Sequence, residues 1–191
     1  MNFKEFLRLN EMPQAINDLE NDDDDVVRKC KRFYDDYDSS DFPDGGDYYN
    51  TFSIYKNKGH HGMVLLITNK EDEFIGYVKF SPSYQLKNGI IIQTTEIVSE
   101  EQGQGIATDA YKYLLEHFDH IISDSQLTDG STALYKKLGK KYKAQILVKG
   151  NVHSKEKSEQ KDELKDIDFT DDKAMKGYEN RNDVSFVLSK K

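Results

Sequence analysis

Near the start of the chain, hydrophobic residues recur with the period of a helix. After Asp22 they fall at spacings i, i+1, i+4, i+7, i+8 and i+11, which places them on one face of an α-helix: Val26, Val27, Cys30, Phe33, Tyr34 and Tyr37. Aspartates at the start of this segment suit the positive end of the helix dipole, and one of them can cap the helix. A shorter helical pattern lies in residues 2–10, before a turn around Pro13. The spacing therefore predicts a helix from Asp22 to Tyr37 and, at residues 2–10, either a short helix or an arm that docks on another surface.

The pattern then changes to that of β-strands. After a loop at residues 39–47, rich in Pro, Gly and Asp, come segments of branched and aromatic residues separated by polar turns. Four consecutive segments are predicted as strands: TFSIY (51–55), MVLLITN (63–69), FIGYVKF (74–80) and IIIQTTEIV (90–98). Because the turns between them are short, we expect neighbouring strands to pair in antiparallel ladders.

The rest of the chain alternates helices and strands. The pattern predicts a helix at 104–118, a strand at 120–123, a helix at 131–138, a strand at 141–150 and a last strand at 183–191. Residues 151–182 contain nine acidic and seven basic residues and few apolar ones, which predicts a charged insert or mobile loop outside the core. The order of elements indicates one domain over residues 1–191, of mixed α/β (α+β) class.

Charge is concentrated in the acidic helical N-terminal segment, residues 1–48. The net charge is −8, and residues 17–48 alone hold twelve acids against four bases, so the remainder is neutral. This distribution argues against nucleic-acid binding through a broad basic face, and it favours a cationic substrate or partner. The alternative is a solvated acidic helix and loop that has no partner.

Cysteine content and hydropathy limit the cellular compartments in which the protein is expected. Cys30 is the single cysteine, which excludes an intrachain disulfide framework and a cysteine-based metal cluster. No acidic residue or cysteine lies at ligand spacing from the histidines, so we expect no metal site. No apolar run is long enough to span a bilayer, and the N-terminus lacks the apolar region of a secretory signal. We expect a cytoplasmic protein without a membrane partner, of unknown oligomeric state.

The segment that follows the fourth strand carries the chemical signal. The strand ends near Val98, a glycine-rich turn follows, and a helix begins near Gln104. A strand–turn–helix of this kind presents free backbone N–H groups at the positive end of a helix, which suits a phosphate or pyrophosphate. Gly103 and Gly105 would let an anion approach the backbone closely. The alternative is that the two glycines only ease a tight strand-to-helix turn.

Two motifs in this region resemble those of the GCN5-related N-acetyltransferases, the GNAT family. Gln102-x-x-Gly105-x-Ala107 is similar to the family signature R/Q-x-x-G-x-G/A, and Val-Ser-Glu-Glu (98–101) stands where the family has V-x-P-E. Further along, ALYKKLG (133–139) resembles the family segment L-Y-E-K-L-G. The predicted order of strands and helices also matches that fold.

The resemblance covers residues 50–148, with 183–191 as the last strand. It implies an acyl-CoA N-acyltransferase fold with acidic helices in front and a long insert before the last strand. It also implies an enzyme that moves an acetyl group from acetyl-CoA directly to a primary amine. The acceptor would be a small cationic amine, or a lysine or other amine of a protein. An acidic rim from residues 17–48 would concentrate such an acceptor.

The resemblance assigns residues to acetyl-CoA and to the chemistry. The pyrophosphate is expected on the backbone amides of the glycine turn and the pantetheine along the preceding strand: Gln102, Gly103, Gln104, Gly105, Ile106, Ala107 and Thr108 in the turn, Ile97 and Val98 in the strand. Tyr135 stands at the position of the family's general acid, which protonates the leaving thiolate. The alternative is that Tyr135 only packs beside Leu138.

Glu96 is the sequence's candidate for a general base. It lies in an otherwise branched strand, two residues before Val98 and on the same side of the pleat. A buried carboxylate there would have a raised pKa and would accept a proton near neutrality. A salt bridge or an exposed position is the alternative for Glu96, and the family often uses water relays instead.

Several positions depart from the family pattern. Thr128 and Ser131 stand where the family has the Asn and Ala of N-x-x-A, and the proline of V-x-P-E is absent. Lys140 replaces the aromatic residue that usually follows Leu-Gly. These differences bear on an amide contact to the cofactor and on the packing of the last strands. They leave the phosphate turn unaffected.

A second class of function stays open. The same fold can serve as a non-catalytic interaction protein whose acidic N-terminal region binds a basic host partner or imitates nucleic acid. The segment containing Phe3, Phe6 and Leu7 resembles leader peptides of some tailed-phage proteins. A binding module has no need of the turn at residues 102–108, so that turn discriminates between the two. A third possibility is an α/β domain with an accidental glycine turn.

Overall fold

Three helices and ten strands make up the part of the chain that the structure describes. The structure is a computed structural model that describes residues 22–46, 49–57, 60–123, 128–149, 162–171, 173, 175, 178 and 183–191. The helices are α1 (Asp22–Asp36), α2 (Ile106–His117) and α3 (Asp129–Gly139), and a 3₁₀ turn spans Ser99–Glu101. The predicted helix at residues 2–10 and the turn at Pro13 lie outside the described residues.

The strands form a single mixed sheet. They are β1 (Tyr37–Ser39), β2 (Gly45–Gly46), β3 (Asn50–Asn57), β4 (Met63–Asn69), β5 (Phe74–Pro82), β6 (Gly89–Ile97), β7 (His120–Ile122), β8 (Lys143–Val148), β9 (Glu163–Asp166) and β10 (Val184–Ser189). Their order is β1-β3-β4-β5-β6-β7-β10-β8-β9, with β2 paired to β3. The antiparallel pairing of β3 to β6 is confirmed, and so is the mixed α/β class.

Helix α1 covers one face of the sheet with its predicted apolar stripe. Cys30 is fully buried, and its thiol contacts the Gly76 carbonyl oxygen of β5 at 3.4 Å. Phe33, one turn later, meets the ring of Tyr77 edge-on at 5.1 Å between ring centroids. The stripe that the sequence predicted therefore docks α1 on β5. Along the described ranges, no helix combines the length and the apolar character needed to cross a bilayer.

Helices α2 and α3 lie on the opposite face from α1. Successive side chains of β6 point to opposite faces of the sheet. The Thr95 hydroxyl contacts the hydroxyl of Tyr111 on α2, whereas the next residue, Glu96, binds Lys29 on α1. The core between the sheet and α2 and α3 is rich in aromatic rings, among them Tyr135 of α3 and Phe80 of β5, both almost fully buried.

Strands β6 and β7 pair only over their first three residues. Gly89–Ile91 runs parallel to His120–Ile122. Beyond this point β6 stays with β5 as far as Ile97, whereas the Ser123 N–H donates to Phe186 O of β10 at 2.8 Å. The two parallel strands therefore diverge. From Ile92 onward, one edge of β6 pairs with no strand of the described chain.

The loop predicted at residues 39–47 contains strand pairing that the sequence did not indicate. Both β1 and β2 pair with β3. Pro, Gly and Asp favour turns, but the open edge of β3 offers backbone hydrogen bonds that depend on tertiary position rather than on composition. Gly45 must be a glycine here, because a Cβ at this position would lie 2.2 Å from the Tyr113 ring.

The prediction that residues 151–182 lie outside the core is wrong for two of the described residues of that segment, Phe169 and Met175. Strand β9 pairs antiparallel with β8 at the edge of the sheet. Phe169 and Met175 are buried, and the Phe169 ring lies 5.5 Å from Phe186 and 6.0 Å from Tyr135. Three of the charged residues, Glu163, Lys165 and Asp166, lie on the exposed edge strand β9, while Phe169 and Met175 anchor the described part of the insert in the core.

Candidate active site

A cleft opens where β6 and β7 diverge. Its volume is about 470 Å³. Residues from β6, the glycine turn, α2 and α3 line it, including Thr95, Ile97, Gln102, Ala107, Tyr111, Thr128, Ser131, Leu134 and Tyr135. Four of the residues predicted from the sequence thus lie around one cavity: Ile97, Gln102, Ala107 and Tyr135.

The glycine turn has the backbone conformation that an anion site needs. Gly103 and Gly105 have φ angles of 81° and 93°, in the left-handed region that other residues rarely adopt. Gly105 is the N-cap of α2, and the Asp109 N–H donates to its carbonyl at 3.1 Å. The N–H groups of Ile106, Ala107 and Thr108 belong to the first turn of the helix, where no carbonyl precedes them at bonding distance. No atom lies within 4 Å of a Cβ built on Gly103, so the turn is open to a ligand.

Two glutamine side chains fix the shape of this turn. The Gln102 Nε2 donates to Ile97 O at 2.8 Å, and the Gln104 Nε2 donates to Glu100 O at 3.2 Å. Both bonds tie the turn back to the end of β6 and the 3₁₀ turn after it. The side chains of Gln102 and Gln104 therefore hold the conformation and leave the backbone N–H groups of α2 for the ligand.

The backbone of β6 divides its hydrogen bonds between β5 and the cleft. The Val98 N–H donates to Ile75 O at 2.9 Å, and the Val98 carbonyl accepts from the Glu101 N–H at 3.0 Å. Successive residues of an antiparallel strand direct their N–H and C=O groups to alternate sides. Ile97 and Thr95 therefore turn their backbone groups toward the cleft. Of the two strand residues expected to bind the pantetheine, Ile97 offers its N–H to the cleft, whereas both backbone groups of Val98 are already engaged.

Tyr135 is buried at the floor of the cleft without a hydrogen-bond partner. Its side chain is 1% exposed, and its hydroxyl has no partner within the described structure. Burial, with a smaller contribution from Tyr111, raises the pKa of this hydroxyl well above its usual value. A buried hydroxyl without a partner is costly, and functional sites are where such groups are expected. The hydroxyl therefore stays protonated and is available to a ligand in the cleft.

A second tyrosine lies against the first. The Tyr111 ring meets the Tyr135 ring edge-on, with 6.1 Å between ring centroids. The Tyr111 hydroxyl contacts the Thr95 hydroxyl at 3.1 Å. Burial raises the pKa of Tyr111 to about 12, against a smaller lowering by the bond to Thr95. Tyr111 is thus satisfied by Thr95, which leaves Tyr135 as the residue of the cleft lining whose buried hydroxyl has no partner in the described chain.

Comparison with known proteins identifies the family. The model of the Acetyltransferase (GNAT) family matches residues 27–139, more than half of the chain. The chain belongs to the GNAT acetyltransferase family. The resemblance found in the sequence motifs is thereby confirmed. Curated proteins give no match to this GNAT chain.

Several solved structures are similar to this GNAT chain at low identity. The ribosomal-protein-S18-alanine N-acetyltransferase from Escherichia coli is 11% identical, with 70% of this chain and 73% of that chain covered and a TM-score of 0.39. Tetrahymena GCN5 is 14% identical over 68% and 69%, with a TM-score of 0.37. The GNAT family N-acetyltransferase YhbS from Escherichia coli, in complex with CoA, is 25% identical over 40% and 44%, with a TM-score of 0.32.

One departure from the GNAT sequence pattern has a structural compensation. Lys140 replaces the expected aromatic residue after Leu138-Gly139, and its side chain is exposed. Phe169 from the insert lies against Gly139 instead, because a Cβ on Gly139 would come within 3.0 Å of the Phe169 side chain. The insert thus supplies, beside α3 and Tyr135, the aromatic ring that is missing at position 140.

Glu96 lies on the other face of β6 from the cleft lining. Its two carboxylate oxygens accept from Lys29 Nζ at 3.0 and 3.2 Å, and Lys29 also pairs with Asp25 at 2.8 Å. The bonds to Asp25 and Glu96 raise the pKa of Lys29. Burial and the bond to Glu96 raise the pKa of Tyr77. The Glu96 side chain is 31% exposed rather than buried, so the salt bridge that the sequence left as an alternative is present. The catalytic role of Glu96 stays a prediction.

Sequence reasoning missed three features of this site. Tyr111 falls in a helical apolar stripe, so nothing in the pattern distinguishes it from core. Phe169 lies in a segment too charged to suggest a core residue. Lys137 approaches the glycine turn, with its Nζ 3.9 Å from a Cβ built on Gly105. A run of five lysines between residues 136 and 143 was the available signal. Around the described site, no group of three or more His, Cys, Asp or Glu side chains could hold a metal ion.

Proposed function

We propose that this protein transfers an acetyl group from acetyl-CoA to a primary amine by direct transfer. Membership of the GNAT family supports acyl transfer in general. The observation that carries the proposal is the buried, unpartnered Tyr135 hydroxyl at the floor of a cleft that leads from the glycine turn. The Tyr135 hydroxyl can donate a proton at one end of the cleft, and the glycine turn can bind an anion at the other. These two groups match the thioester end and the pyrophosphate end of an acyl-CoA.

The residues present fit acetyl-CoA. The N–H groups at the start of α2 would hold the pyrophosphate, because they carry the positive end of the helix dipole and lack carbonyl partners. The unpaired edge of β6 would bind the pantetheine amides in the manner of an added strand, through Ile97 and Thr95. Thr128 and Ser131, which replace the family's Asn and Ala, bond to each other at 3.0 Å beside the cleft. When bound, acetyl-CoA supplies a thioester, so that a C–N bond forms as the C–S bond breaks.

Tyr135 is proposed as the general acid. Its pKa is raised by burial, so the hydroxyl keeps its proton throughout the working pH range. In the free protein this hydroxyl has no competing acceptor within the described residues. It can therefore direct its proton to the sulfur that becomes a thiolate as the C–S bond breaks, and such acid catalysis contributes about 10²- to 10⁴-fold in rate.

Glu96 is proposed as the general base. The amine must lose a proton. Glu96 is the carboxylate residue of β6, and it lies between Thr95 and Ile97 of the cleft lining. The contact with Lys29 shows that its two oxygens already accept from an ammonium group. Because Glu96 lies on the opposite face of β6 from the cleft, the proton would have to pass around the free edge of the strand by way of water.

The acceptor is proposed to be a cationic amine, either a small molecule or a protein lysine or amine. Several described aspartates on α1 and after it are exposed: Asp24, Asp35, Asp36, Asp38 and Asp41. Exposed charges of one sign raise the local concentration of an opposite ion and are screened by salt. This surface supports a cation as the acceptor and does not distinguish a polyamine from a basic protein.

A matched pair of substitutions in the turn tests the proposal. Asn and Asp have almost the same shape and both tolerate a positive φ, so Gly103→Asn and Gly103→Asp differ in charge alone. We expect wild type and Gly103→Asn to bind acetyl-CoA in a calorimeter and Gly103→Asp to bind at least about ten-fold more weakly, because its carboxylate repels the pyrophosphate. Circular dichroism checks that all three are folded. An acceptor screen that follows thiol release then identifies the amine.

The interaction-protein alternative makes the opposite prediction in the same titration. Its support is the exposed acidic surface of α1, which would bind a basic partner without any need for the glycine turn. If folded wild type binds neither acetyl-CoA nor CoA, the acetyltransferase proposal fails and the interaction protein is favoured. Binding by all three proteins with equal affinity would place the ligand away from the turn and would also contradict the proposal.

A further inference from the structure

Lys29 occupies the carboxylate that the proposed reaction uses as its base. Its Nζ lies 3.2 Å from Oε1 and 3.0 Å from Oε2 of Glu96, so one ammonium group covers both oxygens. A general base accepts a proton at a distance of about 2.6–3.2 Å or through one water. Any proton donor that approaches Glu96 therefore has to compete with Lys29 for the same two oxygens.

Asp25 gives Lys29 a second partner on its own helix. The Lys29 Nζ lies 2.8 Å from Oδ2 of Asp25, one turn earlier in α1, and the other oxygen of Asp25 pairs with Arg28 at 2.6 Å. Residues four apart on a helix stay neighbours whatever contacts they make with the sheet. The Lys29 side chain is 39% exposed, and its four-carbon stem is flexible. Lys29 can therefore release Glu96 and keep its bond to Asp25, so that its charge is not left without a partner.

We infer that Lys29 determines the acceptor specificity of the reaction, because it holds Glu96 until a cationic amine takes its place. This inference rests on the proposed function, in which Glu96 is the base. An amine arrives at neutral pH as an ammonium ion and competes with Lys29 for the charge of Glu96, directly or across a water. Water and alcohols are neutral and gain no such attraction. The contact of Lys29 with Glu96 therefore favours amines over the other nucleophiles that can attack a thioester.

The reaction that Lys29 suppresses is hydrolysis of the acyl donor. With Glu96 free, a water molecule in the cleft would lose a proton to Glu96 around the free edge of β6, while its oxygen forms a C–O bond to the thioester carbon. The C–S bond breaks, Tyr135 protonates the sulfur, and acetate and CoA leave. The proton on Glu96 then passes to solvent. Group transfer requires that such side reactions be prevented, and a contact that yields only to a cation meets this requirement.

Hydrolysis of acetyl-CoA in the absence of any amine tests the inference. Lys29→Met keeps most of the side-chain volume and removes the ammonium group, so thiol and acetate release without an amine should rise several-fold over wild type. Lys29→Arg keeps the charge and should hydrolyse acetyl-CoA no faster than wild type. With n-butylamine as the acceptor, Lys29→Met should lower KM by about two- to five-fold, the range expected for a partly exposed ion pair. The hydrolysis measurement needs no acceptor and decides the inference by itself.

Lys112 provides the matched control. It lies on α2, is 37% exposed, and pairs with Asp109 at 2.6 Å, so Lys112→Met makes the same change in charge at a similar exposure on the other face of the sheet. This variant should keep the wild-type rate of hydrolysis and the wild-type KM. The double variant of Lys29→Met with Glu96→Gln should lose the additional hydrolysis, because the water then has no base. Thermal melts check that each variant is folded.

Each other outcome overturns the inference in a distinguishable way. If folded Lys29→Met hydrolyses acetyl-CoA at the wild-type rate, Lys29 only anchors α1 and the proposed function survives. If Lys112→Met hydrolyses as fast as Lys29→Met, net charge is responsible and not the contact with Glu96. If the double variant keeps the additional hydrolysis, Glu96 is not the base that Lys29 restrains. If wild type does not bind acetyl-CoA, the proposed function fails together with this inference.

Discussion

At the scale of single residues, the two proposed catalytic groups differ in whether the folded protein already provides them with a polar partner. Tyr135 is enclosed by aromatic rings and has no hydrogen-bond partner in the described chain. Glu96 is held by Lys29, a partner 67 residues away in sequence. A buried polar group without a partner costs about 1–3 kcal/mol, whereas a partly exposed ion pair contributes little. The folded protein thus carries a cost at Tyr135 that binding of a ligand would relieve.

Replacing Tyr135 with phenylalanine should therefore separate stability from activity. Tyr135→Phe removes an unsatisfied hydroxyl and keeps the ring contacts, so the melting temperature should stay the same or rise. Acetyl transfer should fall by about 10²-fold in kcat, because the proton donor is lost. Thermal melts and steady-state kinetics on the same preparation measure both. A large drop in melting temperature would indicate that the hydroxyl has a structural partner after all, and unchanged kcat would refute its role as the acid.

Glu96 can be tested against its ion-pair partner. Glu96→Gln removes the base and its ion pair with Lys29, whereas Lys29→Met removes that ion pair and the one with Asp25 but keeps the Glu96 carboxylate. If Glu96 is the base, Glu96→Gln should lower kcat/KM by about 10²-fold in steady-state kinetics, while Lys29→Met keeps substantial activity. If Glu96 only anchors α1, both variants should lower the melting temperature and leave kcat/KM of the folded protein close to the wild-type value.

At the scale of elements, the insert takes part in the packing of α3. Strand β9 extends the sheet beyond β8, and the segment after it brings Phe169 against Gly139 and the Tyr135 ring. Family members usually place an aromatic residue directly after the Leu-Gly that ends this helix, and here that position is Lys140. The insert, although its composition is highly charged, therefore supplies through Phe169 the aromatic contact that Lys140 cannot make.

Truncating this aromatic side chain should destabilise the fold and the site together. Phe169→Ala removes a fully buried ring, which typically costs about 3–5 kcal/mol. The position of Tyr135 depends on the same cluster, so kcat should also fall in the fraction that remains folded. Tyr84→Ala is the control, since Tyr84 is 93% exposed and its removal should change stability by less than about 0.5 kcal/mol. Denaturant unfolding of both variants compares them. Equal stability of Phe169→Ala and wild type would contradict a packing role for the insert.

At the scale of the whole molecule, the sequence was informative wherever a local period or motif determined the structure. The stripe with Cys30 at its centre located α1, and alternating apolar residues located β3 to β6. Strand β9 and the pairing of β1 and β2 were not predicted, because an edge strand forms where a neighbouring strand offers free backbone hydrogen bonds, whatever its own composition. Within the site, the motifs located the turn and Tyr135. The contacts of Glu96 with Lys29 and of Lys137 with Gly105 join segments far apart in sequence, and no local pattern encodes such contacts.

The separation of charge across the molecule leads to a last prediction. Asp35, Asp36 and Asp38 are exposed at and beyond the end of α1, whereas Lys137 of α3 lies beside the glycine turn. If the acidic surface attracts a cationic acceptor, replacing these three aspartates with asparagine should raise KM for the amine several-fold at low salt and leave kcat unchanged. The difference should vanish near 0.5 M salt, where the Debye length falls to about 4 Å.

The control for this prediction is a triple change of equal charge on another surface. Glu71, Asp72 and Glu73 are exposed in the turn between β4 and β5, and their neutral amides give the same net charge. If attraction depends on location, this control should keep the wild-type KM at every salt concentration. A control that raises KM as much as the test variant would show that only net charge matters. A test variant with unchanged KM and unchanged salt dependence would remove the acidic surface from acceptor recognition, and the acceptor would then have to be selected inside the cleft.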